Sequence, residues 1–175
     1  MIRTIYFGGG CFWCVESIYL KLKGVVTVKP GYMGGSTINP TYEEVCEGNT
    51  NHVEVAKVVF NEKIKLNDLL EVFFSIHDPT TPNRQGADVG TQYRSAIFCE
   101  TSDRVEIIDF IKSIEKSNLF KDNIITEVNE IVKFYEAEEY HHNYFKNNPD
   151  NSYCKIVVSP KVEKFQKDFS SLISK

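Results

Sequence analysis

A run of three glycines, two cysteines and two aromatic residues constrains the fold of this chain more than any other feature. The run, GGGCFWC at positions 8–14, follows the apolar stretch Ile5-Tyr6-Phe7, and apolar residues recur at helical spacing after it. Glycines allow a tight turn between a strand and a helix because they have no Cβ. Cys11 would then stand at a helix N-terminus, where unpaired N–H groups and the helix dipole favour a thiolate and lower the pKa of the thiol. Since Phe12 and Trp13 follow directly, the run predicts a reactive cysteine beside an apolar wall.

The same cysteines allow other interpretations. A buried cysteine is often only a small core residue. Cys11 and Cys14 form a C-x-x-C pair, which is typical of thioredoxin-like redox motifs and of zinc half-sites. Zinc is disfavoured because Cys46, Cys99 and Cys154 are scattered and form no second pair. We therefore expect no metal site. A thiol–disulfide oxidoreductase that uses Cys11 and Cys14 stays open as an alternative function, and a non-catalytic module that binds a metal or a peptide is a third.

Composition excludes several classes of protein. The chain has 175 residues and a net charge of −4, and its basic residues are not clustered, so we expect no binding to nucleic acid. No apolar run reaches the ~20 residues that cross a bilayer, and the N-terminus lacks the pattern of a signal peptide. We expect a cytoplasmic protein with reduced thiols and no membrane association. We also expect a monomer with a single domain over residues 1–175.

Hydrophobic periodicity predicts an alternation of strands and helices. Up to residue 99 the predicted strands cover 3–7, 25–30, 52–60 and 93–99, and the predicted helices cover 14–23 and 66–77. This β-α-β-β-α-β order is the split pattern of ferredoxin-like folds. A helix from Ser102, a strand at 124–128, a short helix at 137–145 and a final helix from Ser159-Pro160 follow. We therefore expect an α+β fold with a ferredoxin-like split β-α-β core, additional helices and an extended C-terminal segment.

Two loops and one glutamate mark further candidate functional residues. The loops at 31–42 and 85–94 are rich in glycine and tyrosine, and long loops of this kind are often functional. Glu54 lies in a valine-rich strand, on the face opposite to Val53 and Val55. A glutamate in such a strand ordinarily faces solvent. Beside an aromatic wall, however, its carboxyl would have a raised pKa and could act as a general acid.

Taken in order, the motifs of this chain resemble those of the peptide-methionine (S)-S-oxide reductase family, MsrA. The first is Gly-Cys-Phe-Trp-Cys-x-Glu at 10–16, and Gly-Tyr-x-Gly-Gly and Asn-Pro-Thr-Tyr follow within 31–42. His-x-Glu at 52–54, Gly-Thr-Gln-Tyr-Arg-Ser at 90–95 and Phe-Tyr-x-Ala-Glu-x-Tyr-His at 134–141 continue the series. The resemblance implies an enzyme that reduces methionine S-sulfoxide, free and in proteins, back to methionine.

The resemblance also implies a role for each matching residue. Cys11 matches the catalytic nucleophile of the family, and Glu54 matches its proton donor. Phe12 and Trp13 match the aromatic wall that holds the methyl group of the substrate. The other matches are Tyr42 and Tyr93, which would hydrogen-bond the sulfoxide oxygen, Asp88, an acidic residue of the substrate site, and Cys154, the recycling cysteine.

Recycling leaves a choice between two cysteines. A sulfenic acid on Cys11 would condense with a nearby thiol. Cys154 follows a polar, turn-forming stretch that should be mobile, so we expect a Cys11–Cys154 disulfide. Cys14 is the rival, although its side chain should point into core contacts of its helix, and Cys46 and Cys99 are expected to pack in apolar settings. The resemblance implies no bound cofactor, and it implies thioredoxin, or dithiothreitol in vitro, as the reductant.

Overall fold

A mixed six-stranded sheet with helices packed on it forms the framework of the protein. The computed structural model describes residues 1–175. Its strands are β1 (Arg3–Gly8), β2 (Val25–Met33), β3 (Val53–Phe60), β4 (Arg84–Gln85), β5 (Asp88–Val89), β6 (Ala96–Cys99), β7 (Glu127–Glu130) and β8 (Phe134–Glu136). Its helices are α1 (Phe12–Tyr19), α2 (Tyr42–Cys46), α3 (Leu66–Ile76), α4 (Arg104–Lys116), α5 (Tyr144–Asn147) and α6 (Ser159–Asp168). The predicted α+β class is confirmed. No helix combines the length and the apolar character that crossing a membrane requires.

The order of the strands brings the loop after β1 close to the start of β3. The sheet runs β7-β6-β1-β3-β2-β8, with all neighbours antiparallel except β6 and β7. The four strands predicted up to residue 99 are therefore adjacent, in the order β6-β1-β3-β2. In this register Phe7 faces Ala56 across β1 and β3, and Tyr32 faces Glu54 across β2 and β3. The loop that leaves β1 consequently lies over the start of β3.

Strand β2 is longer than predicted because Pro30 does not end it. The strand continues to Met33 and pairs with β3 along its length. The carbonyl of Pro30 accepts the N–H of Ala137, which lies on the side of β8. In a strand the N and O of one residue point to the same side, so the missing N–H of Pro30 also lies on that side. No hydrogen bond to β3 is lost. A proline is tolerated in a strand when its nitrogen points away from the paired strand in this way.

Several short elements differ from the prediction. The predicted range of helix α1 is 14–23. The helix begins two residues earlier, at Phe12, and ends four residues earlier, at Tyr19. The predicted helix at 137–145 is divided by Asn143, whose φ of +52° does not continue a helix, so only a 3₁₀ turn and α5 form there. The strand predicted at 124–128 lies at Glu127–Glu130, where it pairs with β6. The short elements α2, β4, β5 and β8 were not predicted.

The C-terminal helix begins well before the predicted Ser159. Helical turns start at Ser152 and pass through a π-type turn at Cys154–Val158 into α6. Pro160 therefore lies inside the helical stretch, and its missing N–H leaves the carbonyl of Ile156 without its usual i+4 partner. That loss accounts for the widened turn before it.

Cys154 is consequently buried, which contradicts the mobile setting expected from the sequence before it. The side chain has no exposed surface and lies in the main hydrophobic core. It belongs to an apolar stripe at helical spacing that extends two turns from Val162 of α6 toward the N-terminus. The stripe consists of Cys154, Val158, Val162 and Phe165.

The core lies on both faces of the sheet. On one face α1, α3 and α6 cover a cluster of 27 buried residues, in which the rings of Phe7 and Tyr19 stack at 4.9 Å and those of Phe7 and Phe73 lie 4.8 Å apart. On the other face a cluster of six buried residues includes Val53 and Val55. Both faces of β3 are therefore covered over its first four residues, and a side chain on either face of this part of the strand is removed from water.

We predict that Phe73→Ala lowers the free energy of unfolding by about 3–5 kcal/mol, because it leaves a cavity in the aromatic stack. Phe73 is fully buried, and its ring also lies against Gly9 of the cysteine loop. Urea unfolding followed by circular dichroism measures the loss. Val105→Ala is the matched control, since Val105 is 68% exposed and its truncation should change stability by less than about 0.5 kcal/mol. A loss below about 1 kcal/mol for Phe73→Ala would contradict this account of the core.

Candidate active site

Cys11 occupies the turn between β1 and α1, as the glycine run predicts. It stands directly before the first helical residue, with φ −59° and ψ 125°, and it is half-buried. Gly10 before it has φ +88°, and a Cβ there would lie 3.0 Å from the side chain of Gln85. A residue with a side chain would therefore be strained and crowded at this position. The turn holds the thiol at the helix N-terminus, open on one side.

Glu54 is the carboxyl that faces this turn. Its Oε1 accepts the N–H of Phe12 at 3.2 Å, and the side chain is 2% exposed. It points away from Val53 and Val55, as the strand alternation predicts. Burial raises the pKa of Glu54 to about 8, the nearby Asp88 raises it further, and the hydrogen bond from Phe12 opposes the shift. At neutral pH the carboxyl therefore carries a proton, and the alternative that Glu54 simply faces solvent is wrong.

The thiol of Cys11 differs from the expectation in its protonation. Burial raises the pKa of Cys11 well above its ordinary value, and the charge of Glu54 raises it further. The backbone N–H of Trp13 and the polar hydroxyl of Tyr153 beside the thiol lower the pKa but do not offset the burial. A helix N-terminus thus does not produce a free thiolate here, because removal from water costs the charged form more than the N–H groups return. In the free protein the pair is a thiol beside a carboxylic acid.

Phe12 and Trp13 form an aromatic wall at the site. Phe12 is fully buried, and its ring lies 5.7 Å from that of Tyr32 and 5.1 Å from that of His141. Trp13 is half-buried and stacks flat on Tyr144 with ring centroids 3.7 Å apart. The wall is therefore rigid on the Phe12 side and held by stacking on the Trp13 side.

Tyr42 and Tyr93 approach Glu54 from two other elements. Tyr42 is the first residue of α2, and Tyr93 ends a 3₁₀ turn before β6; both are half-buried. Burial and the charge of Glu54 raise the pKa of each hydroxyl, so both stay protonated and can donate hydrogen bonds. Cys46, the last residue of α2, lies near Tyr42 and is exposed. The expectation that Cys46 packs in an apolar setting is therefore wrong, whereas Cys99 is buried as expected.

Asp88 reaches the site through a residue that the sequence analysis did not select. The hydroxyl of Tyr153 donates to Asp88 Oδ2 at 2.5 Å, beside the thiol of Cys11. Tyr153 directly precedes Cys154, so the peptide that carries the predicted recycling cysteine is held at the nucleophile by its neighbour. Cys154 itself lies behind this contact in the core, near Cys14, which is 4% exposed. Neither thiol is open to solvent.

Glu138 and His141 complete the wall from the segment after β8. Glu138 accepts the hydroxyl of Tyr32 and the N–H of Tyr42, both at 2.9 Å. His141 is fully buried, accepts the Trp13 Nε1–H at 2.9 Å, and has no partner for its Nε2. Both residues belong to the Phe-Tyr-x-Ala-Glu-x-Tyr-His motif, which was the signal that could have selected them. The motif marks these residues as candidates for the site. It does not predict what they contact, because their partners are about 100 residues away in the sequence.

This arrangement can carry out two-electron chemistry on a small apolar group with a polar oxygen. A thiol supplies the electrons, a protonated carboxyl beside it supplies a proton, two hydroxyls can bind an oxygen, and aromatic rings exclude water. No group of three or more His, Cys, Asp or Glu side chains is placed to hold a metal ion. The fold and the site therefore define an oxidoreductase.

Comparison with known proteins gives the family. The sequence profile described as "Peptide methionine sulfoxide reductase" matches residues 3–172. The peptide methionine sulfoxide reductase MsrA of Trichodesmium erythraeum is 49% identical over 176 residues, which cover 99% of each chain. The chain belongs to the peptide methionine sulfoxide reductase family, and it is an enzyme with that activity.

Solved structures agree with this assignment. The reduced form of Mxr1 from Saccharomyces cerevisiae matches with a TM-score of 0.81 and 37% identity, over 87% of this chain and 89% of that one. A form of Mxr1 described as unusual and oxidized matches with a TM-score of 0.64 and 36% identity, over 87% and 85% of the two chains.

We predict that the pH dependence of stability reports the proton on Glu54. Because its pKa in the folded protein lies above the ordinary 4.5, its contribution is complete below about pH 4.5 and is lost as the pH rises through about 8. The thermal midpoint of the wild type should therefore fall between about pH 5 and pH 8 and level off above pH 8, and Glu54→Gln should lack this part of the fall. Glu71→Gln, at an exposed position of α3, should follow the wild type. Parallel curves for wild type and Glu54→Gln through pH 8 would contradict a buried proton at this residue.

Proposed function

We propose that the enzyme reduces the S epimer of methionine sulfoxide, free and in proteins, by attack of Cys11 on the sulfoxide sulfur. The observation that carries the proposal is the position of Glu54. Its protonated carboxyl is bound to the N–H of Phe12, the residue next to Cys11, at 3.2 Å. A sulfoxide oxygen leaves poorly until it is protonated, and a positioned acid contributes ~10²–10⁴-fold to such a step.

The proposed reaction balances within the site. The sulfur of Cys11 forms a bond to the sulfoxide sulfur while Glu54 gives its proton to the oxygen. The hydroxyl group then passes to Cys11, the bond between the two sulfurs breaks, and the proton lost by the thiol restores that of Glu54. The products are methionine and a sulfenic acid on Cys11, so the thiol is oxidised by two electrons and the sulfoxide is reduced by two.

Stereospecificity follows from the separation of apolar and polar walls. Phe12 and Trp13 would contact the methyl group, and the hydroxyls of Tyr42 and Tyr93 would donate to the oxygen, with Asp88 fixing the far side of the site through Tyr153. Exchange of methyl and oxygen on the chiral sulfur would leave the donors unpaired, which discriminates more strongly than an apolar contact. The preference for the S epimer, rather than the R epimer, comes from the family resemblance.

Recycling would join Cys11 to Cys154. The sulfenic acid would condense with the thiol of Cys154 with loss of water, and the dithiol of thioredoxin would reduce the resulting disulfide by exchange. Burial of Cys154 means that the helical turns at 152–158 must open first. The weaker structural similarity of the chain to the oxidized form of Mxr1 than to its reduced form supports a rearrangement on oxidation. Cys14, buried one turn after Cys11, stays the rival for this role.

We further propose that residues 1–175 work as one methionine sulfoxide reductase domain and as a monomer. The family profile spans nearly the whole chain, which supports the single domain. The strand order β6-β1-β3-β2 supports a ferredoxin-like split β-α-β core at its centre.

The function is tested by single turnover on a racemic peptide that contains methionine sulfoxide, with the two epimers separated by chromatography. Wild type should consume the S epimer and leave the R epimer. Cys11→Ser should lower the rate at least ~100-fold, and Glu54→Gln should lower it ~10²–10⁴-fold at pH 7, because they remove the electron donor and the proton donor.

Cys99→Ala is the matched control, since Cys99 is buried at the far end of β6, and it should react like the wild type. Equal consumption of both epimers, or a wild-type rate for Glu54→Gln, would refute the proposed pocket or the proposed acid.

The recycling route is tested by peptide mapping after one equivalent of sulfoxide. We expect a Cys11–Cys154 disulfide in the wild type, and we expect thioredoxin-driven turnover to be lost in Cys154→Ser but retained in Cys14→Ser. First turnover should survive in both variants, because the initial step uses only Cys11. A Cys11–Cys14 disulfide in the wild type, together with turnover in Cys154→Ser, would assign recycling to Cys14.

A further inference from the structure

Glu16 is a buried carboxyl for which the proposed chemistry has no use. It lies on α1, four residues after Phe12, and is 1% exposed. Burial of a carboxyl is costly unless it is hydrogen-bonded, so a residue of this kind needs partners that offset the loss of water. Its partners come from a different part of the chain.

The carboxyl of Glu16 caps helix α5. Its Oε1 accepts the N–H of Asn143 at 2.8 Å, and the backbone N–H of Tyr144 lies beside the same carboxyl. Asn143 stands before the first residue of α5 and its own side chain makes no capping hydrogen bond. The first N–H groups of a helix have no partner within it. Glu16 supplies that partner from α1, which ties the start of α5 to the helix that carries Trp13.

Tyr144 transmits this attachment to the aromatic wall. Its ring lies on Trp13 with centroids 3.7 Å apart and planes inclined by 8°, the closest aromatic contact in the structure. Trp13 is held otherwise by the hydrogen bond of its Nε1–H to His141 and by an edge contact with Tyr153. One face of the indole is therefore covered by Tyr144, which directly follows Asn143, the residue whose N–H Glu16 accepts.

We propose that Glu16 is a positioning residue, which holds Tyr144 flat against Trp13 and lets protonation of its carboxyl loosen the aromatic wall of the substrate site. The proposal rests on the proposed function, in which Trp13 contacts the methyl group of the substrate. Because Trp13 makes or breaks no bond in that reaction, loss of the contact should raise KM more than it lowers kcat.

Protonation of Glu16 falls in the neutral range. Burial raises the pKa of Glu16 to about 7, and the backbone N–H groups of Asn143 and Tyr144 oppose the shift. The carboxylate is the stronger acceptor, so the contact with α5 should tighten as the pH rises through about 7. Of the charged groups around it, Lys21 of α1 and Lys146 of α5 line the adjoining cavity. On the other side of Trp13, burial lowers the pKa of His141, which is therefore neutral in this range, and His142 faces Ala137 and Glu136.

Trp13 is the only tryptophan of the chain, so its fluorescence reports this contact without any activity assay. In the full-length wild type we expect acrylamide quenching of Trp13 to decrease about twofold between pH 6 and pH 8, as the carboxylate forms. Glu16→Gln should keep the high quenching at every pH, and its KM for methionine sulfoxide should rise about fivefold to tenfold with kcat within about twofold. Lys21→Gln, which changes a charge in the same cavity, should behave as the wild type in both measurements.

Two further variants make the result decisive. Tyr144→Ala removes the stack directly, so the pH transition of Trp13 should vanish, and adding Glu16→Gln should cause no further rise of KM. If Glu16→Gln does not fold, the comparison of wild type with Tyr144→Ala decides alone, because a transition near pH 7 that persists in Tyr144→Ala overturns the proposal. Additive effects on KM, or unchanged quenching in Glu16→Gln, also overturn it. The fluorescence measurement needs no turnover. It therefore tests the role of Glu16 even if the enzyme does not carry out the proposed reaction.

Discussion

The hydrogen bond from the Phe12 N–H to Glu54 is the interaction on which the site depends. It joins the first turn of α1 to β3, and it can form only because β1 and β3 are antiparallel neighbours in the sheet. The pairing of Phe7 with Ala56 carries the chain that leaves β1 over the start of β3, where Glu54 lies. The glycine turn then brings Cys11 to the same point. A thiol and a carboxyl that are far apart in the sequence thus become neighbours through sheet register, and a shift of one residue would turn Glu54 to the opposite face.

Burial around this hydrogen bond sets the chemical state of the pair. The same removal from water raises the pKa of Cys11 and that of Glu54, and each negative charge would disfavour the other. The free enzyme therefore holds two protons where a helix N-terminus alone would favour a thiolate. For a reaction that must protonate the leaving oxygen, this state is suitable, because the acid is loaded before substrate arrives. A thiolate formed permanently beside an ionised Glu54 would have the nucleophile but no proton to give.

The parts of the fold with their own periodicity were predictable, and the parts that depend on distant partners were not. β1, β3 and α3 each have a regular apolar pattern, and the structure places them close to the predicted ranges. Helix α2 has five residues, too few to show a period, and it is held by the capping box of Thr41 and Glu44 together with Glu138. Strand β8 has three residues and exists through its pairing with β2. The same division applies to the site: Cys11 and Glu54 lie in recognisable local patterns, whereas the contact of Tyr153 with Asp88 joins a helical turn to β5, and nothing in the sequence connects the two.

The C-terminal helix serves two requirements that oppose each other. Cys154, Val158 and Phe165 fill the core, so the helix contributes to stability, yet in the proposed reaction the thiol of Cys154 must leave that core to reach Cys11. The helix is weakest where the movement is needed, since Pro160 removes a backbone hydrogen bond and the turn before it is widened. Local opening there costs less than global unfolding. The hydroxyl of Tyr153 holds the same segment through its hydrogen bond to Asp88, beside Cys11. An oxygen added to the sulfur of Cys11 would occupy part of this contact, so formation of the sulfenic acid would itself weaken the attachment that keeps Cys154 away.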